Sequence, residues 1–457
     1  MDIYMQVLGF VLSLSLLIFV HELGHYMFAR IFNTRVEKFY LFFNPGFSVL
    51  RMKKIDGKLQ FSFFSSRPPE EWAEHPESTE WGIGWLPFGG YCSIAGMVDE
   101  TKAAEDLASE PQPWEFRSKP AWQRFFIIAG GVFMNFLLAI VIYTAIMFTW
   151  GKQYVPLENA KHGFMFSNAA QYAGFQNGDI IISVDGVLPH TLADFKTKLF
   201  MDNPKEVVVL RNNQLDTLHL KKDNWKKLLG DRFCEFNFPF VIGELMSGYP
   251  AAQAGLMKGD SLVGLDTLQI YLFSDFQEEF SYAKNKEVTL HFYRGDSLHS
   301  ALIWVNEEGK IGVYPVNYTK YLQIVTDNYG FLESIPVGIK EGVGTLTFYV
   351  KQFKRVFTKE GATQIGGFIS IGNIFPKTWN WQVFWAMTAL LSVILAFMNI
   401  LPIPALDGGY ILFILIEMIT GRKPSDKFIG YANMVGLTLL IMLMVYANGL
   451  DILRFFR

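Results

Sequence analysis

The 457 residues are 51% hydrophobic and only 18% charged, with a formal net charge of −3. So much apolar surface excludes a disordered chain, and the absence of a long basic block argues against a nucleic-acid partner. Two cysteines, Cys92 and Cys234, allow one bridge at most and no CxxC metal or redox pair, so both are expected to be unpaired.

The apolar residues gather in runs long enough to cross a bilayer, which takes ~20 residues. The first, Ile3 to Val20, carries no charge. It has no basic leader and no small-x-small cleavage site after it, so it reads as a retained helix over 1–30 and not as a signal peptide. It runs directly into His21-Glu22-Leu23-Gly24-His25. On a helix, residues four apart share a face, so both imidazoles can grip one cation with Glu22 beside them as general base. Ionisable side chains in a bilayer cost ~2.5 kcal/mol or more each, and a bound zinc ion offsets that cost.

Residues 31–120 read as a membrane-associated β-region. Val36 to Phe43 and Gly46 to Met52 are strand-like, and the turn pair Asp56-Gly57 leads into Leu59 to Phe64. Such a sheet has an edge with which an unwound peptide could pair. Segments 65–84 and 97–118, rich in Trp, Pro and acid, look like elaborations. The second span lies within 121–150, in the clean run from Phe125 to Trp150.

Residues 151–382 are mixed in composition and contain an internal echo. Ala173-Gly174-Phe175, Gly178-Asp179-Ile180-Ile181 and Val184-Asp185-Gly186 return as Ala254-Gly255-Leu256, Gly259-Asp260-Ser261-Leu262 and Leu265-Asp266-Thr267. Strand-like runs surround each copy: Glu206–Leu210, Asp216–Leu220, Val241–Leu245, Val288–Tyr293 and Ala301–Val305. The spacing resembles two tandem PDZ domains, at 155–225 and 238–318. The second copy departs from the pattern where Thr267 replaces the turn glycine. Such domains capture peptides by strand addition; a steric or scaffolding role is equally open. Within 335–380, Val337 to Phe357 has the spacing of an amphipathic helix, lying on the membrane surface or packed on a PDZ domain.

The third span is expected over 383–418. Its run, Val383 to Leu406, ends at Asp407, in Asn399-Ile400-Leu401-Pro402-Ile403-Pro404-Ala405-Leu406-Asp407-Gly408-Gly409. Two histidines leave a catalytic zinc one protein ligand short, and Asp407 is the obvious donor. Pro402 and Pro404 break helical hydrogen bonding, which a membrane tolerates only inside protein or beside a wet cavity. The fourth span lies within 428–452. Lys and Arg flank the inner ends of the spans (Arg30, Arg35, Lys38; Arg117, Lys119, Arg124; Arg422, Lys423, Lys427), which puts those ends in the cytoplasm and 151 to about 380 on the far side.

HExxH in a first span together with NxxPxxxLDG in a late one resembles the site-2 protease family of intramembrane zinc metalloproteases. The four spans and tandem PDZ insert are most similar to its bacterial regulator-of-sigma-E branch. The resemblance implies a multi-pass α-helical membrane protein with four transmembrane helices, a membrane-associated β-hairpin or sheet, and two periplasmic PDZ-like α+β domains. It implies His21, His25 and Asp407 as zinc ligands and Glu22 as general base. It further implies Asn399, Pro402, Gly89 and Gly90 as substrate-binding, the last two from Pro87-Phe88-Gly89-Gly90-Tyr91. Gly131-Val132-Phe133-Met134-Asn135 matches a GxxxN element, with Gly131 and Asn135 as positioning residues. The implied location is the bacterial inner membrane, with the site near the cytoplasmic face. The implied substrates are single-pass membrane proteins: anti-sigma-factor-type regulators after a first cut, or remnant signal peptides. A catalytically silent PDZ scaffold is the alternative, and an ion transporter is weakened by the absence of a span repeat.

Overall fold

The computed structural model describes residues 2–87, 89–97, 110–201, 204–220, 233–317, 321–356 and 365–455. The chain divides into two compact units, one formed by Met1–Gly151 with Asn328–Arg457, the other by Lys152–Asp327.

The first unit is a helical bundle with one sheet. Among the described residues, four of its helices are long and apolar enough to cross a membrane. Helix α1 spans Asp2–Ile31 and continues through the HExxH motif instead of ending beside it. It stops where Asn33 takes a left-handed φ of 53° and Thr34 N donates back to Ala29 O at 2.8 Å. Helix α2, Ala121–Trp150, starts after Pro120 and ends at Gly151 with φ 69°. It is the hub of the bundle, packed by every other long helix of the unit except the last. Crossing α1, it places Gly130 against Gly24, where a side chain on Gly24 would overlap the Gly130 carbonyl.

Helix α3, Phe331–Val356, contains the expected amphipathic segment up to Val356; Phe357 lies outside the described residues. It packs against the other helices of the bundle. Gly338 sits against Thr144, Gly342 against Ile140, and Phe353 meets Phe397 at 5.4 Å. Glycine at the crossing lets it run down the side of α2, with Val337 and Leu346 in the shared core. The expected third span is two helices, α4 (Trp381–Ile400) and α5 (Asp407–Thr420), joined by an irregular break. Pro402 and Pro404 stop α4, and Gly408 and Gly409 let the break fold back against Leu401 and Ile403 carbonyls. Asp407 therefore opens a new helix instead of ending the old one. Helix α6, Asp426–Phe455, completes the unit.

Between α1 and α2 the chain forms a five-stranded sheet: β1 (Val36–Leu41), β2 (Ser48–Ile55), β3 (Lys58–Ser65), β4 (Glu80–Ile83) and β5 (Tyr91–Ile94), in the order β3-β2-β4-β1-β5. The hairpin of β2 and β3 turns at Asp56-Gly57 as the sequence predicts. Strands β4 and β5 are not legible in the sequence, because polar, Pro-rich loops surround them. Burial of Arg51 against Glu80 at 2.7 Å inside the sheet is equally invisible to hydrophobic patterning.

The second unit holds two modules with separate cores, one from Leu157 to Phe236, the other from Phe240 to Ile311. Each has an antiparallel three-stranded sheet: Ile180–Val184, Glu206–Arg211 and Gln214–His219 in the first; Ser261–Leu265, Lys286–Arg294 and Ser297–Val305 in the second. The internal echo is a structural repeat. Gly174, Gly178 and Asp185 have positive φ, as do Gly255, Gly259 and Asp266. Arg211 reaches Asp179 at 2.7 Å and the Gly174 carbonyl at 2.9 Å; Arg294 reaches Asp260 at 2.8 Å and the Gly255 carbonyl at 2.9 Å.

Burial pushes the Asp260 carboxyl up, but the Arg294 guanidinium and the Met257 N–H more than offset it and hold it below the usual range. The carboxylate is therefore needed for stability above about pH 4, and its contribution is lost as pH falls below that. Replacing Arg294 by Met strands a carboxylate that is 1% exposed. A loss of stability at neutral pH is expected, smaller than for a fully buried pair because Arg294 is itself a third exposed. Faster hydrogen exchange across 255–294 in the full chain, with a flatter dependence on acid, checks this.

Candidate metal centre

The structure brings together three of the predicted residues from two helices. His21 and His25 are one turn apart on α1 and are 8% and 7% exposed. Their Nε2 atoms lie 3.3 Å apart, and Asp407 Oδ2, on the first residue of α5, is 3.2 Å from His21 Nε2 and 3.5 Å from His25 Nε2. A tetrahedral zinc with bonds of about 2.0–2.1 Å separates its ligand atoms by roughly 3.3 Å, so the spacing of this triangle fits that ion. Asp407 Oδ2 is buried without a hydrogen-bond donor among the described residues, which a cation would satisfy. Two imidazoles and a carboxylate are also the donor set expected of a catalytic site that keeps one position open.

Each imidazole is aimed by α2. His25 Nδ1 meets the Ile127 carbonyl at 2.9 Å, so it carries the proton and leaves Nε2 free to ligate. His21 Nδ1 meets the Asn135 side-chain amide at 3.1 Å. The atom facing His21 Nδ1 is Asn135 Nδ2, while Asn135 Oδ1 is buried with no partner among the described residues; exchanging the two ends of the amide gives Oδ1 the Nδ1–H that ligation through Nε2 requires. Asn135 is fully buried, and its backbone carbonyl accepts from Ser392 Oγ at 2.7 Å, which ties α4 to the same point. Gly131 faces both rings: a Cβ there would stand 2.5 Å from His25 Nε2 and 2.6 Å from His21 Cε1. Both residues of the GxxxN element thus touch the histidine pair.

The cluster opens on a cavity of about 580 Å³ lined by Glu22, Gly90, Tyr91, Cys92, Asn399 and Leu437 among others. The Asn399 amide is 3.3 Å from His21 Nε2, so it sits at the metal-binding end of the cavity. Gly90 lines it. Gly89 does not, and packs instead where a side chain would strike the Phe43 ring. Pro402 is exposed and lies outside the lining; it shapes the break that delivers Asp407. Strand β5 forms the sheet edge at this cavity, whereas the β2–β3 hairpin highlighted by the sequence holds the opposite edge.

Sequence reasoning missed two supports. Ala405, two residues before Asp407, has φ 74°, a strained angle for a residue with a Cβ. Asn433 of α6 holds it there, accepting from Ala405 N at 3.2 Å and donating to Tyr410 Oη at 2.9 Å. Neither is signalled by composition or spacing. An asparagine inside an apolar run was the one cue on offer.

The model of the family described as Peptidase family M50 matches residues 9–66 and 67–443. The chain is 26% identical over 460 residues to a protein named as a zinc metalloprotease in Rickettsia conorii, covering 99% of each. It is 27% identical over 479 residues to another so named in Xylella fastidiosa, covering 99% of each. With the Regulator of sigma E protease of Haemophilus influenzae it shares 26% identity over 467 residues, 98% of each chain.

Proposed function

This chain belongs to peptidase family M50, the site-2 protease family, and is a zinc metalloprotease; from that premise we propose that it cuts peptide bonds in or near transmembrane segments of single-pass membrane proteins. The observation that carries the proposal is the position of the donor cluster: it is enclosed within a bundle of helices long enough to cross a membrane, at the end of a cavity of about 580 Å³.

Zinc held by His21, His25 and Asp407 would supply Lewis acidity toward a scissile carbonyl and bring the pKa of water toward ~7. The protein's own groups do the rest. Glu22, on the cavity wall, takes the proton of the attacking water and passes it to the leaving nitrogen. Ile127 and Asn135 keep both rings in the ligating tautomer. A peptide bond inside a helix has its carbonyl already bonded, so the substrate must unwind. Strand β5 offers an edge for extended pairing beside the cavity, with Gly90 allowing close approach, and Asn399 binds the exposed backbone.

The bacterial relatives favour an inner-membrane location, and the flanking Lys and Arg residues support an orientation with the metal centre toward the cytoplasmic face and the two modules periplasmic. The modules act as a PDZ-like pair that takes up peptide termini or excludes bulky outer domains. By analogy with the name of the Haemophilus relative, anti-sigma-factor-type regulators after a first cut are the favoured substrates, with remnant signal peptides beside them. The test is a purified full chain in lipid vesicles with a labelled single-span reporter. Cleavage within the span, abolished by a zinc chelator and restored by zinc, is expected. An intact reporter alongside zinc-dependent cutting of an unfolded soluble protein would overturn the proposal.

A further inference from the structure

Tyr410 brings a hydroxyl to the metal centre that the chemistry above leaves unused. It lies one turn after Asp407 on α5 and lines the same cavity as Glu22 and Asn399. Its ring packs on the core that α1, α2 and α5 share. Side chains on a helix lean toward its N-terminus, so the phenol is carried back toward the end that bears Asp407. Asn433 of α6 fixes where it stops. One amide takes the Ala405 N–H at 3.2 Å with Oδ1 and holds Tyr410 Oη at 2.9 Å with Nδ2. The phenolic oxygen is thereby held near the backbone that leads into Asp407, at the metal-binding end of α5.

The same contacts orient its proton. A backbone N–H can only donate, so the end of the Asn433 amide facing Ala405 is the oxygen, and the end facing Tyr410 is the NH2. Tyr410 Oη is therefore the acceptor in that contact, and its own O–H is directed to a different partner. In a cavity whose wall includes Ile94, Ile128 and Leu437, a hydroxyl donor meets little competing water and its hydrogen bond is strengthened. Hydrolysis of a peptide bond moves negative charge onto the scissile carbonyl oxygen, and a donor fixed in advance at that charge lowers the barrier. Glu22 serves the attacking water and the leaving nitrogen, so it cannot also fill this role. We propose that Tyr410 is a further catalytic residue: its hydroxyl donates to the scissile carbonyl oxygen as that oxygen gains charge, and Asn433 is the positioning residue that aims it. The phenol keeps its proton throughout. The inference rests on the metalloprotease reaction and not on the membrane substrate, because every scissile peptide bond develops the same charge.

The test compares the purified, zinc-loaded full chain with Tyr410→Phe, which removes one oxygen and keeps the ring. Rates are measured on the single-span reporter and on an unfolded soluble protein. On whichever is cut, kcat should fall ~10²-fold while KM and zinc affinity stay as in the parent, the pattern of an interaction made only in the transition state. A phosphinic peptide, whose tetrahedral phosphorus carries charged oxygens, should lose affinity by the same factor. Binding of the uncut reporter, measured in a Glu22→Gln background, should not change. Asn433→Asp still accepts from Ala405 N but offers Tyr410 a second acceptor, which turns the phenol proton away from the cavity. It should lower kcat to a similar degree, and adding Tyr410→Phe to it should cost little more, since both act on one hydrogen bond. Parental kcat or parental phosphinic-peptide affinity in Tyr410→Phe would overturn the assignment. So would a parallel loss of zinc, which would make Tyr410 a strut for the break before Asp407. A parent that cuts only the soluble protein would remove the membrane substrate and leave the Tyr410 comparison standing.

Discussion

Replacing Glu22 by Gln is expected to abolish cleavage of a membrane-anchored reporter while the protein keeps its zinc. The substitution preserves size and hydrogen bonding but removes the basic oxygen. Glu22 lines the cavity beside the donor triangle and is not part of it, so metal affinity should change little. General-base catalysis contributes ~10²–10⁴-fold, and losing it should drop the rate to the background of the assay. Asp407→Asn separates the two roles, because it weakens the carboxylate that faces both imidazoles and should lose metal and activity together. Zinc per protein, measured on both variants beside the rate, distinguishes them. Cleavage by Glu22→Gln at the normal rate would exclude Glu22 as the base.

How much of this was legible beforehand follows from the range of each signal. HExxH is local: its chemistry is written in five consecutive residues, and helical geometry alone puts both rings on one face. Asp407 lies 382 positions after His25, yet an acid beside two prolines and two glycines in an apolar run is itself conspicuous. What could not be read was how that acid is delivered. A continuous span over 383–418 would carry its residues past on a helix, whereas the real chain stops at Ile400, turns through a strained Ala405, and restarts with Asp407 as its first helical residue. Asn433 stabilises that turn from a helix whose run looked merely apolar.

The β-region shows the opposite limit. The hairpin at Asp56-Gly57 is a local turn and was predictable, but the edge that matters is β5, which pairs with β1 across more than fifty residues of chain. Pairing partners of that kind are fixed by burial of Tyr40 and Phe39, and no pattern in Tyr91–Ile94 itself announces it. The repeat in the second unit was visible for its glycines, but Arg211 and Arg294 were missed, because they lie 32 and 39 residues beyond Asp179 and Gly255 and lock each Gly-Asp corner only in three dimensions.

Gly131→Ala is the second large effect, and it separates a packing residue from a metal-positioning one. A methyl group there would sit 2.5 Å from His25 Nε2 and 2.6 Å from His21 Cε1, inside any tolerable contact. Neither ring can retreat easily: His25 is tied to Ile127 on the same helix as the new methyl, and His21 is tied to Asn135. The alternative, sliding α2 away from α1, is opposed by the Gly24–Gly130 crossing one residue earlier. The added carbon should therefore tilt the rings and weaken zinc binding by ~10–100-fold, with about 1–3 kcal/mol of overpacking in the bundle. Asn135→Ala should reproduce the loss of affinity without the overpacking, because it removes the acceptor that holds His21 Nδ1–H and adds no atom. Zinc affinity by competition with a chromophoric chelator, read beside thermal stability of the zinc-free protein, tells the two apart. If Gly131→Ala bound zinc as tightly as the parent, the helix contact would have to be looser than 2.5 Å allows, and α2 would be packing scaffold instead of the element that aims both ligands.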